Sequence, residues 1–558
     1  MYVRTKSTGP YTYVQVVESV REGKRVRQRV LGTLGRLDRM RESGELEALA
    51  ASVARLSERV LVLGEHRRGE APTIATRRIG PALVFERLWR ELGCAAVIDA
   101  LLAGRRFEFP VERAIFLEVL HRLFSPGSDR DGYGWRRAYA VAGTEGLDLH
   151  HAYRAMAWLG ESLEGDGSTD SRCVKDLIEE RLFERRRDLF SEVEVAFFDT
   201  TSLYFESEGG EDLGARGHSK DARPDLKQMV VGVVLDEQGR PLCCELWPGN
   251  TADVTTLLPI AERLSRRFGV TRACLVADRG MISADTVASL EARDWPYILG
   301  TRMRNAKVVR DEVLSRAGRY RAVAGPRAAP HEPSPLEVKD VTVEGKRYIV
   351  CRNRDQARKD AADREAIVAA LTERLAHQGA KSLIGNRGYR RYLAPAPAMA
   401  VDAAKVEAEA RYDGKWVLAT NTTWDSAEIA LRYKQLWMVE DAFRSMKSLL
   451  STRPIFHRTD PAIRGHVFCS FLALLLRKEL QDRLADRDCD AEWADVVRDL
   501  DRLEEVEVAS GGNHWLLRTT TDGVAGKVCQ AAGVALPPAI RQARPPTPAE
   551  PAAESTKV

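Results

Sequence analysis

"VEVAFFDTTSLYF", residues 193–205, decides how this chain is read. Val193, Val195, Phe197 and Phe198 are strand formers with no reason to face water, and they predict a buried strand over 193–198. Asp199 follows directly, and then the hydroxyls of Thr200, Thr201 and Ser202. A strand-ending Asp is often a turn cap. It can also be one ligand of a metal site, and partner carboxylates should then follow at the ends of other strands.

Working outward, the next segments predict strands over 228–235 ("QMVVGVVL") and 241–247 ("PLCCELW"), and a helix over 253–267. A strand over 273–277 ("ACLVA"), a helix over 283–294 and a strand over 296–301 ("PYILGT") complete the series. Three strands followed by helix, strand, helix and strand call for a mixed sheet with helices on its faces. That order is the order of a ribonuclease-H-like core. The fold class expected is therefore multidomain α/β, with a mixed sheet flanked by helices.

A second strand-ending acid, Asp278 in "ACLVADRGMIS", lies 79 residues beyond Asp199. In a sheet of this order the first and fourth strands are parallel neighbours, so both acids reach adjacent carboxyl ends, where open α/β sheets place their ligands. Two carboxylates that close repel unless a cation joins them, and hard oxygen donors favour Mg²⁺ or Mn²⁺. A third ligand is expected from "LRYKQLWMVEDAFRSMKSLL", read as one helix running from the Asp425 cap through Leu450. There Glu440 sits at helical spacing among Leu436, Trp437 and Phe443, on a stripe expected to face the core. A buried acid needs a partner, and a metal shared with Asp199 and Asp278 would serve. Tyr433 and Lys447 lie seven residues either side of Glu440, on the same stripe.

The remaining chain sets the boundaries. Residues 1–40 hold nine Lys or Arg against three acids, and read as a basic hairpin with Arg25, Arg27 and Arg29 on one face, a possible DNA-binding arm. Residues 41–190 read as a mostly helical DNA-binding region, with helices closing on Gly93, Gly104 and a Pro-Gly turn. The core is expected in two parts, 191–301 and 423–486, around an insertion with β strands over 302–422. A helical and hairpin region over 487–535 and a disordered Pro/Ala-rich tail over 536–558 complete the chain. The whole-chain charge of +4 says little about partners. Nine cysteines without a CxxC pair argue against a zinc site or disulfide framework and suit a reducing cytoplasm. The longest apolar run, "VFCSFLALLL" at 467–476, is too short to span a bilayer and reads as a core helix, so no membrane association is expected.

"DTTSLYFE", "GHSKDARPDLKQMVVGVVLD", "PGNTAD", "VADRGMIS" and "YKQLWMVEDAFRSMKSLLSTRPIFH" together resemble the DDE transposases of bacterial insertion sequences, in the insertion-sequence-four superfamily close to its sixteen-thirty-four group. The resemblance spans roughly residues 80–480. It implies catalytic, metal-ligating roles for Asp199, Asp278 and Glu440, and a largely β insertion before the Glu helix. It also implies binding of terminal inverted repeats and target DNA, end cleavage, and strand transfer by the freed 3′-hydroxyl. Two Mg²⁺ ions per site, with Mn²⁺ as a substitute, are expected to flank the scissile phosphate about 3.5–4 Å apart. A homodimer in the paired-end complex and a cytoplasmic, nucleoid-associated bacterial setting follow from the same resemblance. Alternatives are a ribonuclease-H-like nuclease without strand transfer, or a domesticated non-catalytic DNA-binding protein.

The superfamily signature of Tyr, Arg, Glu and Lys reads here as Tyr433, Leu436, Glu440 and Lys447. Leu436 stands where Arg is expected, so the phosphate contact would pass to Arg444 or Lys434, or be lost. Lys447 is expected to bind phosphate, and Lys220, Arg223 and Lys227 are expected beside DNA in the loop between the first two strands. His218 reads as loop surface, Asn250 and Thr251 as turn residues, and Trp437 as core.

Overall fold

The computed structural model describes residues 2–22, 25–46, 48–49, 73–163, 172–187, 193–324, 334–378, 387–394, 400–510 and 513–542. The chain divides into a larger unit, residues 78–503 and 521–536, and a smaller one, residues 1–77, 504–520 and 537–558.

The larger unit is organised by one nine-stranded sheet. Its strands in chain order are β1 (Val195–Tyr204), β2 (Gln228–Leu235), β3 (Pro241–Pro248), β4 (Cys274–Ala277) and β5 (Tyr297–Gly300), followed by β6 (Arg321–Ala324), β7 (Leu336–Val343), β8 (Lys346–Arg352) and β9 (Lys415–Thr420). They lie in the order β6-β7-β8-β9-β5-β4-β1-β2-β3. The 3-2-1-4-5 half is the arrangement the strand and helix order calls for. β1 and β4 are parallel, with Phe197 opposite Val276 and Phe198 opposite Ala277.

β1 runs on past the acid. It does not end at Phe198, because the hydroxyl-bearing residues after Asp199 continue the antiparallel ladder with β2, from Asp199 opposite Val233 to Tyr204 opposite Gln228. β4 ends at Ala277. The crevice at Asp199 therefore opens because its parallel neighbour stops there.

Residues 302–422 give the sheet four more strands. β9 pairs antiparallel with β5, and β8 with β9, so these strands widen the same sheet. The 25-residue helix Arg354–Gln378 follows β8.

Alternation along β1 divides the core. Val195, Phe197 and Leu203 join one apolar cluster, and Ala196 and Phe198 join another on the opposite face. Helix α1 (Leu257–Phe268) covers the second face with Leu257, Ile260 and Leu264. The first face is covered by α3 (Ser426–Lys434), α4 (Trp437–Arg444) and α5 (Asp460–Ala485), after α2 (Ala284–Glu291) has joined β4 to β5. Asp199 and Asp278 continue the alternation of Phe197 and Val276, both members of the first cluster, so both acids fall on the face that α4 covers.

The helices expected as a separate N-terminal region lie in the larger unit. Gly80–Glu91, Val111–Phe124 and Leu149–Leu159 bury their apolar sides in the same cluster as α5. The physical reason is α5 itself: "VFCSFLALLL" is apolar on every side and needs cover all round, which the early helices supply.

In the smaller unit, strands Tyr2–Thr8, Tyr11–Glu22 and Arg25–Arg36 form an antiparallel three-stranded sheet, so the basic hairpin has a third strand. A four-stranded sheet runs in the order Ile540–Gln542, Asn513–Arg518, Glu504–Ser510, Thr73–Arg78. The tail from residue 536 thus includes a strand, with Leu517 opposite Ile540, and residues 543–558 lie outside the described residues. Residues 50–72, within the region 41–190 expected to be mostly helical, also lie outside them. No helix among the described residues is long and apolar enough to cross a membrane.

Candidate active site

A cleft of about 900 Å³ opens where β4 ends. Asp199, Asp278 and Glu440 line it together with Thr200, Thr201, His218, Lys220, Asp253, Arg279, Arg302, Arg304, Arg391, Arg444 and Lys447. Acids from β1, the β4 end and α4, far apart in the chain, therefore share one wall system.

Asp199 is half-buried. Its Oδ1 accepts the Thr200 N–H at 2.7 Å. Burial pushes its carboxyl up to about 6, Lys220 and the Thr200 N–H pull it down, and Asp278 and Asp253 push it up. Asp278 is held by the Tyr433 hydroxyl, which donates to Oδ1 at 2.9 Å. Burial, and then the Asp278 charge, raise the Tyr433 phenol well above its ordinary value, keeping it a donor. This reach depends on Gly300, since a Cβ there would meet the Tyr433 hydroxyl and the Arg279 amide.

Glu440 enters from α4, which is shorter than the sequence suggests. The long helix breaks at Gln435–Leu436 into α3 and α4, then widens into a π segment over Ser445–Leu449. Leu436, Val439 and Phe443 are buried, while Glu440 is exposed to the cleft and does not face the core. Trp437, expected in the core, is 61% exposed. A helix stripe bordering an open cleft is buried on one side only, and spacing alone does not separate cleft from core. Leu436 is 7% exposed and belongs to the apolar core, so it does not face the cleft.

Sequence reasoning missed Asp253. It follows Asn250 and Thr251 in "PGNTAD" and opens a short 3₁₀ turn. Its Oδ1 accepts the Thr200 hydroxyl at 2.7 Å, and its Oδ2 lies 3.1 Å from Lys220 Nζ. Lys220 also donates to the Thr200 carbonyl at 2.8 Å, so an ammonium is fixed beside Asp199. Gly249 seats this turn, because a Cβ there would meet the carbonyls of Gln228 and Ala215. The signal for it in the sequence is an acid two residues past the Asn250–Thr251 turn, in "PGNTAD".

Not every expected cation reaches the cleft. Lys220, Arg444 and Lys447 line it. Arg223 instead pairs with Asp225 at 2.9 Å and lies over the Tyr204 ring, and Lys227 pairs with Glu208 at 3.2 Å. Local acids satisfy both. Lys434 is not among the lining residues. Tyr433, on the same stripe as Glu440 and also expected to contact DNA, directs its hydroxyl to Asp278. Arg27 and Arg29 are exposed in the smaller unit, and the side chain of Arg25 lies outside the described residues. Arg302, unforeseen, donates to the carbonyls of Arg279 and Gly280 at 3.0 and 2.9 Å, which fixes a guanidinium on the far wall.

The donor set fits hard divalent cations. Three carboxylates share one open cleft, and Asp199 among them has the Lys220 ammonium as a counter-charge. Among the described residues their oxygens do not all lie within 4.8 Å of one another, so ions bound in common would draw them together. Two other clusters do meet that limit. In one, Asp129, His457 and His466, the Arg122 guanidinium donates to His466 at 3.0 Å and to Asp129 at 3.4 Å while His457 lies 3.0 Å from Asp129; in the other, Asp148, His150 and His151 lie at a helix start.

Residues 192–476 match the family described as the transposase DDE domain, which covers more than half of the chain. The chain belongs to the DDE transposases, enzymes that act on DNA and whose DDE domains generally use divalent metals. Residues 2–67 match the IS1634 family transposase, N-terminal domain. Within the class it is an IS1634-family insertion-sequence transposase. No curated protein matches the chain. Among solved structures, the cryo-EM piggyBac transposase synaptic complex with hairpin DNA is similar at 10% identity and a TM-score of 0.38, over 76% of this chain and 79% of that one.

Proposed function

We propose that this transposase binds the terminal inverted repeats of its own insertion sequence, cuts DNA at their ends and joins the freed ends to target DNA, a cut-and-paste reaction. Asp199, Asp278 and Glu440 are its catalytic acids and hold two Mg²⁺ ions, for which Mn²⁺ substitutes. When bound, those ions supply positive charge to the attacking and leaving oxygens of an in-line displacement.

The chain's own residues do the positioning. The Thr200 N–H fixes one oxygen of Asp199, and the Tyr433 hydroxyl fixes one oxygen of Asp278, leaving the other oxygen of each for a ligand. Asp253 and Thr200 hold Lys220 where its charge meets the scissile phosphate. Arg444, Lys447 and Arg302 line the cleft as backbone phosphate contacts, and Arg25, Arg27 and Arg29 serve the smaller unit in the same way. Two copies of the chain act in the paired-end complex, at the nucleoid in the bacterial cytoplasm.

The observation that carries this reading is the convergence of three acids from β1, β4 and α4 in one cleft walled by arginines and lysines. Its test is a donor plasmid carrying the complete element, incubated with target plasmid. Asp199→Asn, Asp278→Asn and Glu440→Gln should each abolish end cleavage while terminal-repeat binding persists. Mg²⁺ or Mn²⁺ should support cutting, and Ca²⁺ should support binding with little cutting. Cleavage within tenfold of wild type in any variant removes that residue from the site, and cleavage without joining assigns the protein to the nucleases.

A further inference from the structure

We infer that Lys447 and Arg453 form a second subsite for a DNA backbone phosphate, and that Asp221 fills it as an internal stand-in until DNA arrives. The inference rests on the transposase reading and adds to it a residue pair and a displaceable loop.

The geometry starts with the loop between β1 and β2. Asp221 reaches from it to the π segment after α4, where its Oδ1 lies 2.8 Å from Lys447 Nζ and 3.5 Å from Arg453 Nε. Its side chain is only 5% exposed. Arg453 is placed by the strand end that carries the acids. Ile455 bridges to Phe205, its N–H donating to the Tyr204 carbonyl at 3.1 Å, which pins the segment beside the continuation of β1. The Arg453 guanidinium then lies over the Tyr204 ring, 5.6 Å from its centroid. Lys447 lines the cleft, so the subsite adjoins the acids.

Asp221 fits this place imperfectly. Its Oδ2 is buried without a hydrogen-bond partner, and so is the Nε–H of Arg453. A buried acceptor and a buried donor a few ångströms apart, both unmet, mark a site shaped for a larger anion. A carboxylate presents two oxygens in one plane. A phosphodiester presents two non-bridging oxygens at tetrahedral spacing on a bulkier centre, and can meet the ammonium and the guanidinium together.

The loop is also built to leave. Ala222, next to Asp221, has φ +56°, a left-handed conformation that an alanine adopts only under constraint. The contacts that hold the turn leave the Asp221 carboxylate out: the Ser219 hydroxyl accepts the N–H groups of Asp221 and Arg223 at 3.3 and 3.0 Å, Ser202 accepts that of Lys220, and the Lys220 ammonium stays on Thr200 and Asp253. Release of Asp221 would relieve the strain at Ala222 and expose two cations to the backbone.

The test uses the full chain and a fluorescein-labelled 30-base-pair duplex in Ca²⁺, read by anisotropy from 50 to 200 mM salt. Arg453→Gln should weaken binding about tenfold and lower the slope of log K against log salt by about 0.9, one lost phosphate contact, while Arg453→Lys recovers the slope. Asp221→Asn, which keeps the shape and removes the competing charge, should tighten binding about tenfold, and Arg453→Gln should remove most of that gain. Inorganic phosphate at millimolar concentration and constant ionic strength should leave the duplex bound; displacement that depends on residue 221 would assign the pocket to a free anion and overturn the inference. An Asp221→Asn protein that binds no tighter than wild type, with an unchanged melting temperature, also overturns it, as does Arg453→Gln with wild-type slope. These failures leave the transposase reading standing if the wild type still cuts its element ends. A wild type that binds no duplex sinks both.

Discussion

Asp199→Asn should stabilise this protein while abolishing its activity. In the metal-free chain the Asp199 carboxyl is displaced from 3.8 to about 6, first by burial and then by neighbouring acids. A carboxyl whose folded pKa exceeds its unfolded value binds more protons folded than unfolded between those two values. Stability therefore falls as pH rises through the window from about 4 to 6, and stays reduced above it. Fully developed, the displacement costs about 3 kcal/mol at pH 7.5, and only about 1 kcal/mol at pH 4.5, where most folded molecules are already protonated. Asparagine removes the charge and keeps an oxygen to accept the Thr200 N–H. Unfolding entropy scales at about 2.1 cal/mol/K per residue, which for the larger unit of about 440 residues makes 3 kcal/mol worth about 3 °C. Differential scanning fluorimetry in EDTA should show that gain at pH 7.5 and about a third of it at pH 4.5. Adding Mg²⁺ at pH 7.5 should raise the wild-type midpoint and leave the variant's nearly unmoved, because only a ligand for the folded state shifts the equilibrium. An equal gain at both pH values, or a less stable variant at pH 7.5, would refute the claim that Asp199 sits desolvated and under-compensated.

Tyr433→Phe deletes the hydroxyl on Asp278 and should lower cleavage about tenfold with little change in DNA affinity, an effect of about 1.4 kcal/mol on the cutting step; cleavage within twofold of wild type would mean the bond does not position the acid. Leu436→Arg, which restores the superfamily residue, should cost about 2–4 kcal/mol and bring no gain in cleavage, since position 436 is core; a faster enzyme with an unchanged melting temperature would place it in the cleft instead. Removing residues 1–40 should weaken DNA binding and flatten its salt dependence, and an unchanged salt slope would leave that segment's arginines merely solvated.

The sequence by itself determined the central sheet and the identity of two of its acids. β1 to β5 carry continuous apolar runs because both faces of the strands are buried, and the short helices between them permit few ways to connect. Period and order are local properties of a chain, so Asp199 and Asp278 could be placed side by side before any coordinates. Tertiary contacts decided what period cannot express, namely which distant segment meets which. β9 seals against β5, so the strands of the insertion become part of the central sheet. β1 passes Asp199 because β2 continues as its partner while β4 does not. Glu440 and Trp437 share a helix with buried residues, yet both are exposed, because the core ends where the cleft begins. Asp253 and Arg453 joined the site only through partners, Thr200 and Lys220 for the one, Asp221 for the other, that lie far from them in the chain. A side chain's type and spacing state what it can do, and the folded chain alone supplies the group it does it to.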